Sequence, residues 1–212
     1  MLVKFQNEIV LALVSFCLVG CDSVTTEDGP LSAPEGLWSE VIGTDAGELV
    51  LIQEVSISAD VDDVWKAYTT SEGWTGWAAP KAEIDLRVGG TIRTAYVGEI
   101  GGENTNTLQI VNYVPHRLLT LRADVSDSWP EIMKKDAERL SNVILFESRG
   151  PNATQIQSFG IGYTDSPELE ELMSFFIKAN EGLLENLKVY VESGTRTKWR
   201  EQYWRGLRVL IT

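Results

Sequence analysis

The sequence predicts an α+β domain: an antiparallel sheet of about six to seven short strands, covered by one long C-terminal helix. Three observations carry this. Several short runs between Leu37 and Tyr163 are β-prone and apolar-rich, some with strict period-two alternation, and Gly, Pro, Asn or Asp bound them. One brief helical pattern after Asp60 interrupts them early. The last pattern, Pro167 to Gly194, is helical and long enough to shield the apolar face of such a sheet.

Leu37 to Ile42 and Glu48 to Ser58 are separated by Thr44-Asp45-Ala46-Gly47, whose residue types favour a hairpin. Asp60 is placed to cap the short helix, in which Val61, Val64, Trp65 and Tyr68 recur at helical spacing. Trp74 and Trp77 fall in the loop beyond. Ala82, Ile84 and Leu86 alternate with Lys81, Glu83, Asp85 and Arg87, the pattern of a half-exposed antiparallel strand. Gly89-Gly90 turns the chain into Thr91–Val97. Pro115-His116 joins the strands Asn104–Val114 and Leu118–Ala123, and Gly150-Pro151-Asn152 joins Asn142–Ser148 to Thr154–Tyr163. Trp129–Leu140, polar and charged, reads as a surface loop or short helix. In the final helix Pro167 comes first and Gly194 last, the favoured asymmetry. Leu169, Leu172, Met173, Phe176, Ala179, Leu183, Leu187 and Tyr190 make its apolar stripe.

The two ends differ from this middle. Ile9 to Val19 (IVLALVSFCLV) is too short to span a bilayer but has the length of a signal-peptide core. It runs into Leu18-Val19-Gly20-Cys21, which resembles a lipobox, so residues 1–20 are expected to be a lipoprotein signal peptide and Cys21 the lipidated residue. Residues 21–36 are then a polar, acidic tether, 37–194 the domain, and 195–212 a separate tail. The expected location is the cell envelope, anchored through the N-terminal lipid to a membrane outside the cytoplasm. Asp22 resembles an inner-membrane retention signal. The tail TRTKWREQYWRGLRVLIT carries a net +4 and interleaved aromatics. It suits either an anionic lipid surface or a return onto the acidic domain.

Net charge is −13, with a pI near 4.5. Such a surface repels phosphate backbones, which argues against nucleic acid as a partner. The one histidine and the two cysteines, both before residue 22, leave no disulfide framework or Cys/His metal site in the domain. No carboxylate cluster has a Ca²⁺-loop spacing and no Gly-rich phosphate loop is present, so neither metal nor cofactor is expected.

Several short motifs occur in a telling order. Val64-Trp65-Lys66-Ala67 follows the helix cap, then Gly76-Trp77, then Arg87-Val88-Gly89-Gly90 at a strand end. Val114-Pro115-His116-Arg117-Leu118-Leu119 forms a later turn, and Ser158–Tyr163 leads towards the long helix. Over roughly Leu49 to Glu192 this order resembles the SRPBCC (START-like, Bet v 1-like) superfamily, nearest the heat-shock ATPase activator (Aha-type) C-terminal domain group. The resemblance implies a helix-grip fold, in which a curved antiparallel sheet wraps a long helix and leaves an apolar cavity between them. Members include ligand carriers, receptors, cyclases, dehydratases and a co-chaperone, so no shared catalytic residue transfers.

Under that resemblance the expected function is binding of a small apolar or amphipathic ligand, without catalysis. Trp74, Trp77 and Tyr96 from the first half, with Met173, Phe176, Ile177 and Leu183 from the long helix, are candidate cavity residues. Core packing is the alternative role for each of them. Arg93 and Arg122 lie in strands and are candidate ligand-orienting groups, with the solvent face as the alternative. His116 sits in a turn at the sheet rim, where a structural role is favoured over acid–base work. The other function classes are a cyclase- or hydrolase-like enzyme using polar cavity residues and a protein-interaction module; no particular protein partner is legible. The anchor has a direct check. Cys21→Ala should abolish incorporation of labelled palmitate, and persistent labelling would overturn the lipoprotein assignment.

Overall fold

A computed structural model of the chain describes residues 36–125, 134, 137–164 and 166–198; for 167–172 and 175 only the backbone is described. The expected signal peptide, most of the expected tether and most of the tail lie outside the described residues. The described residues belong to the unit Pro34–Thr212. No described helix is long and apolar enough to cross a membrane.

The sheet has eight strands, not six or seven: β1 Leu37–Gly43, β2 Glu48–Ile57, β3 Lys81–Ile84, β4 Thr91–Ala95, β5 Thr105–Val114, β6 Leu118–Asp124, β7 Ser141–Gly150 and β8 Ala153–Thr164. All neighbours are antiparallel, in the order β1-β2-β8-β7-β6-β5-β4-β3, and the sheet is curved and open. The helices are α1 Val61–Thr69, α2 Ser71–Trp77 and α3 Pro167–Ser193. This is the helix-grip arrangement.

Period-two alternation sets the two faces. Leu51, Gln53, Val55 and Ile57 of β2 are buried on the concave face, and their neighbours Ile52, Glu54 and Ser56 point the other way. Cross-strand register extends the concave rows. One runs Leu119–Ile144–Ser158–Gln53–Ser39 and the next Leu121–Asn142–Gly160–Leu51–Val41.

Two local expectations are corrected. Asp60 occupies the N-cap of α1, but its carboxylate makes no cap hydrogen bond. It accepts instead from the backbone N–H of Asn152 at 2.8 Å, tying the helix start to the β7–β8 turn. Trp74 and Trp77 are not in a loop: they lie on α2, whose start is capped by the Thr70 hydroxyl accepting from Gly73 N–H at 3.0 Å.

The long helix does not cover the sheet alone. Trp65 and Tyr68 of α1 and Trp74 and Trp77 of α2 share one core with Ile110, Leu119, Ile144, Phe146 and Ile156 of the sheet. Their rings interlock, Tyr68 lying 4.8 Å from Trp77 and 5.2 Å from Phe146 between centroids. Helix α3 packs over β1, β2 and the two short helices. Its inward stripe keeps Met173 and Leu187 as predicted and adds Leu184, with Leu183 and Tyr190 partly buried against the core. Tyr190 reaches α2, where its ring covers Gly76.

The C-terminus of α3 is stapled to the sheet. Lys188 Nζ donates to Ser56 C=O at 2.7 Å, and Glu192 accepts from Ser58 N–H at 2.7 Å while pairing with Lys188. Burial alone would raise the Glu192 carboxyl, but the Lys188 and Ser58 hydrogen bonds outweigh it and hold the group below its usual range. Gly194, in the left-handed region at φ 68°, closes the helix.

Two glycines separate close packing from open helix. A Cβ on Gly76 would meet the Tyr190 ring at 2.3 Å, whereas one on Gly182 meets nothing within 4 Å. In urea denaturation Gly76→Ala should cost about 1–3 kcal/mol through overpacking. Gly182→Ala should stabilise by roughly 0.5–1 kcal/mol, because alanine is the better helix former.

Candidate functional site

The candidate residues divide into three groups. Trp74 and Trp77 are core. Trp77 is 3% exposed, and its indole N–H donates to Ala67 C=O at 2.9 Å; the Trp74 indole donates to Tyr68 C=O at 2.5 Å. Tyr96, just past β4, donates its hydroxyl to Ala78 C=O at 2.9 Å. Burial pushes the phenols of Tyr68, Tyr96 and Tyr163 upward, so each stays protonated at neutral pH and acts as a donor or packing surface.

The two arginines face away from α3. Arg93 alternates with buried Ile92 and Thr94 and pairs with Glu83, its register partner on β3. Arg122 alternates with buried Leu121 and donates to Gln109 at 2.8 Å, its register partner on β5. A bare guanidinium on the apolar face would lack a counter-charge, and the convex face supplies one for Arg93 and a neutral acceptor for Arg122.

The third group stays together. Met173 is buried, and Phe176, Ile177 and Leu183 are half-buried on the side of α3 nearest the sheet. Phe176 meets the Tyr163 ring at 6.3 Å. Phe176 and Trp77 do not border one space. Tyr190 covers Gly76, next to Trp77. Phe176 therefore stands about 20 Å up the helix axis from the Trp77 end, at 1.5 Å per residue.

Beneath the Met173–Ile177 stretch the concave face turns polar. Gln53, 1% exposed, donates through Nε2 to Ser39 Oγ at 3.0 Å and to Ile177 C=O at 3.3 Å. Ser158, its partner on β8, donates to Asn142 Oδ1 at 2.9 Å. Gly160 lies in the next row with the Tyr163 ring 3.1 Å from where its Cβ would stand. Tyr163 reaches that position through an irregular register near the strand end, where Gly162 has φ 92° and lies too close to the Arg139 backbone for any side chain. None of these polar residues was a candidate from sequence. Their signal was a polar residue at each inward position of an otherwise apolar alternation: Gln53 between Leu51 and Val55, Ser158 after Ile156.

Two open clefts lie elsewhere. One, of about 570 Å³, is bounded by α1, α2 and the end of α3, with the ion pairs Lys66–Asp63 and Arg196–Glu72 at its mouth. Both pairs are exposed and hold little binding energy. The other, of about 220 Å³, lies beside Gln109 and Arg122. His116 donates through Nδ1 to Asp62 Oδ1 at 2.8 Å and packs 5.7 Å from the Trp65 ring, holding the β5–β6 turn against α1. Among the described residues no His/Cys/Asp/Glu group could hold a metal ion. The expected signal peptide, Cys21 and most of the tail fall outside the described residues.

Trp77→Phe isolates one bond of this core. It keeps a ring but strands the Ala67 carbonyl, and denaturation should register a loss of about 1–3 kcal/mol. An unchanged midpoint would mean that the indole bond contributes nothing.

Comparison with known proteins agrees with this architecture. No curated protein matches the sequence. Among solved structures, a conserved protein of unknown function, EF2215 from Enterococcus faecalis, is similar at 16% identity and TM-score 0.54, over 82% of this chain and 92% of that one. The Aha1 dimer from Colwellia psychrerythraea gives 17%, 0.51, 68% and 97%, and CalU16 from Micromonospora echinospora 19%, 0.51, 84% and 94%. At these identities the likeness is one of fold. The model of the family described as activator of Hsp90 ATPase homolog 1-like protein matches residues 58–192, and the chain belongs to that family.

Proposed function

We propose that the protein is a lipid-anchored binding module of the cell envelope: Cys21 carries the lipid, the following tether gives reach, and the domain holds a small apolar or amphipathic ligand between the concave face and α3. One observation carries the ligand reading. Near Phe176 and Ile177 the concave face presents Gln53, Ser158, Gly160 and Asn142, polar or small where the face under the C-terminal half of α3 is large and apolar, with the Tyr163 ring between Gly160 and Phe176. The fold agrees, since members of this superfamily commonly bind ligands or partners there. Export of the domain rests on the Leu18-Val19-Gly20-Cys21 motif, and it disfavours a role with a cytoplasmic ATP-driven chaperone.

An interaction module is the second reading, and the convex face favours it. There Ile52, Phe159 and Val143 align in one register row, each half-buried.

The ligand reading is tested with Nile red, a neutral apolar dye, on the native protein. Its fluorescence should rise and saturate, and Phe176→Ala should weaken that binding while costing clearly less than the about 3–5 kcal/mol of a filled core phenylalanine. A full-size stability loss with no dye binding by the wild type would sink this reading and leave the convex face as the functional surface.

A further inference from the structure

The two edges of the sheet are treated differently. β3 is four residues long, follows Pro80, begins with Lys81 and lies against α2, where Ile84 N–H donates to Ser71 Oγ at 3.0 Å. A short strand, a lysine and a covering element are the means by which a protein keeps a sheet edge from recruiting another chain. β1 has none of them. It runs seven residues, Leu37–Gly43, in unbroken register with β2, without proline, lysine or arginine, and no described strand pairs with its outer edge. Glu40 to Gly43 are exposed, with Val41 at 37% and Ile42 at 39%.

Which backbone groups of β1 face outward follows from its hairpin. Thr44 N–H donates to Glu48 C=O at 2.8 Å. Hydrogen-bonded pairs alternate along an antiparallel ladder, so Ile42, Glu40 and Trp38 spend their backbone groups on Val50, Ile52 and Glu54. Leu37, Ser39, Val41 and Gly43 turn theirs to the free edge.

We infer that this edge pairs with the same edge of a second copy of the chain, making a two-fold dimer centred on Val41. Antiparallel pairing about Val41 sets Val41 opposite Val41 and Ser39 opposite Gly43, outward backbone against outward backbone, and brings Glu40 opposite Ile42. Centring on Glu40 would instead put two carboxylates face to face, which is unfavourable. The strand thus fits itself in a register free of like-charge contact, and its own copy is the partner that its sequence suits. The covered β3 edge leaves each chain one free edge, so association closes at two. This surface lies apart from the ligand site and from the apolar row of the convex face, and the inference depends on neither reading.

Sedimentation equilibrium of the full chain in a non-ionic detergent should show monomer and dimer, with a Kd on the order of 10 µM because a small interface is a weak one. Val41→Pro removes an outward N–H without taking a bond from the ladder to β2. Val41→Lys brings two ammonium groups to the two-fold axis. Each should weaken the dimer by about tenfold or more. The two substitutions differ in chemistry, so if proline disturbs folding, lysine still decides. Val88→Lys, at a valine 63% exposed at the opposite end of the sheet, should leave the dimer unchanged. A wild type that stays monomeric well above that concentration, or a dimer that the Val41 substitutions leave intact, would overturn the inference. Assemblies beyond two copies, equal weakening by Val88→Lys, or a complex with a polypeptide of different mass would do the same.

Discussion

The fold depends on how the C-terminus of α1 is closed. A helix end leaves carbonyls without partners, and in the last turn of α1 Ala67, Tyr68 and Thr69 are buried. Here side chains serve them. Thr69 Oγ donates to Trp65 C=O at 2.7 Å, Thr70 Oγ to Lys66 C=O at 2.8 Å, and the indoles of Trp77 and Trp74 to Ala67 and Tyr68. The tryptophans can reach only because α2 turns back at once, its backbone so close that a Cβ on Gly73 would lie 2.5 Å from Ala67 O. The same two indoles, with that of Trp65, are the largest apolar bodies in the core, so closing a helix end and filling the concave face are one event.

That arrangement polarises the interior. The aromatic group occupies one part of the concave face and packs against the C-terminal half of α3, where Leu184 and Leu187 are buried and the Lys188–Glu192 staple binds the helix to β2. Among the described side chains of its earlier turns Met173 is buried, Gln53 reaches Ile177 C=O and Phe176 lies against Tyr163.

Much of this was legible in the residues. The Pro167–Gly194 pattern placed α3 within a residue, and the hairpin signals at Thr44–Gly47 and Pro115-His116 placed β1, β2, β5 and β6. What escaped was what period alone does not fix. Trp74 and Trp77 looked like loop residues because SEGWTGW carries two glycines, and only the approach of α2 to α1 gives those glycines a purpose. The stripe of α3 missed Leu184 because the helix touches both sheet and α2, which widens its apolar arc. The outward setting of Arg93 could have been read from Ile92 and Thr94 beside it. Tyr163 could not, because the irregular register at Gly162 breaks the alternation that counting relies on.

Charge is divided unevenly along the chain. The basic tail leaves −17 on the rest of it. An anion approaching the domain therefore meets an unfavourable field, weakened by salt beyond about 8–10 Å. The described polar side chains on the concave face near Ile177, namely Gln53, Ser39, Ser158 and Asn142, are instead neutral groups that hydrogen-bond within the protein.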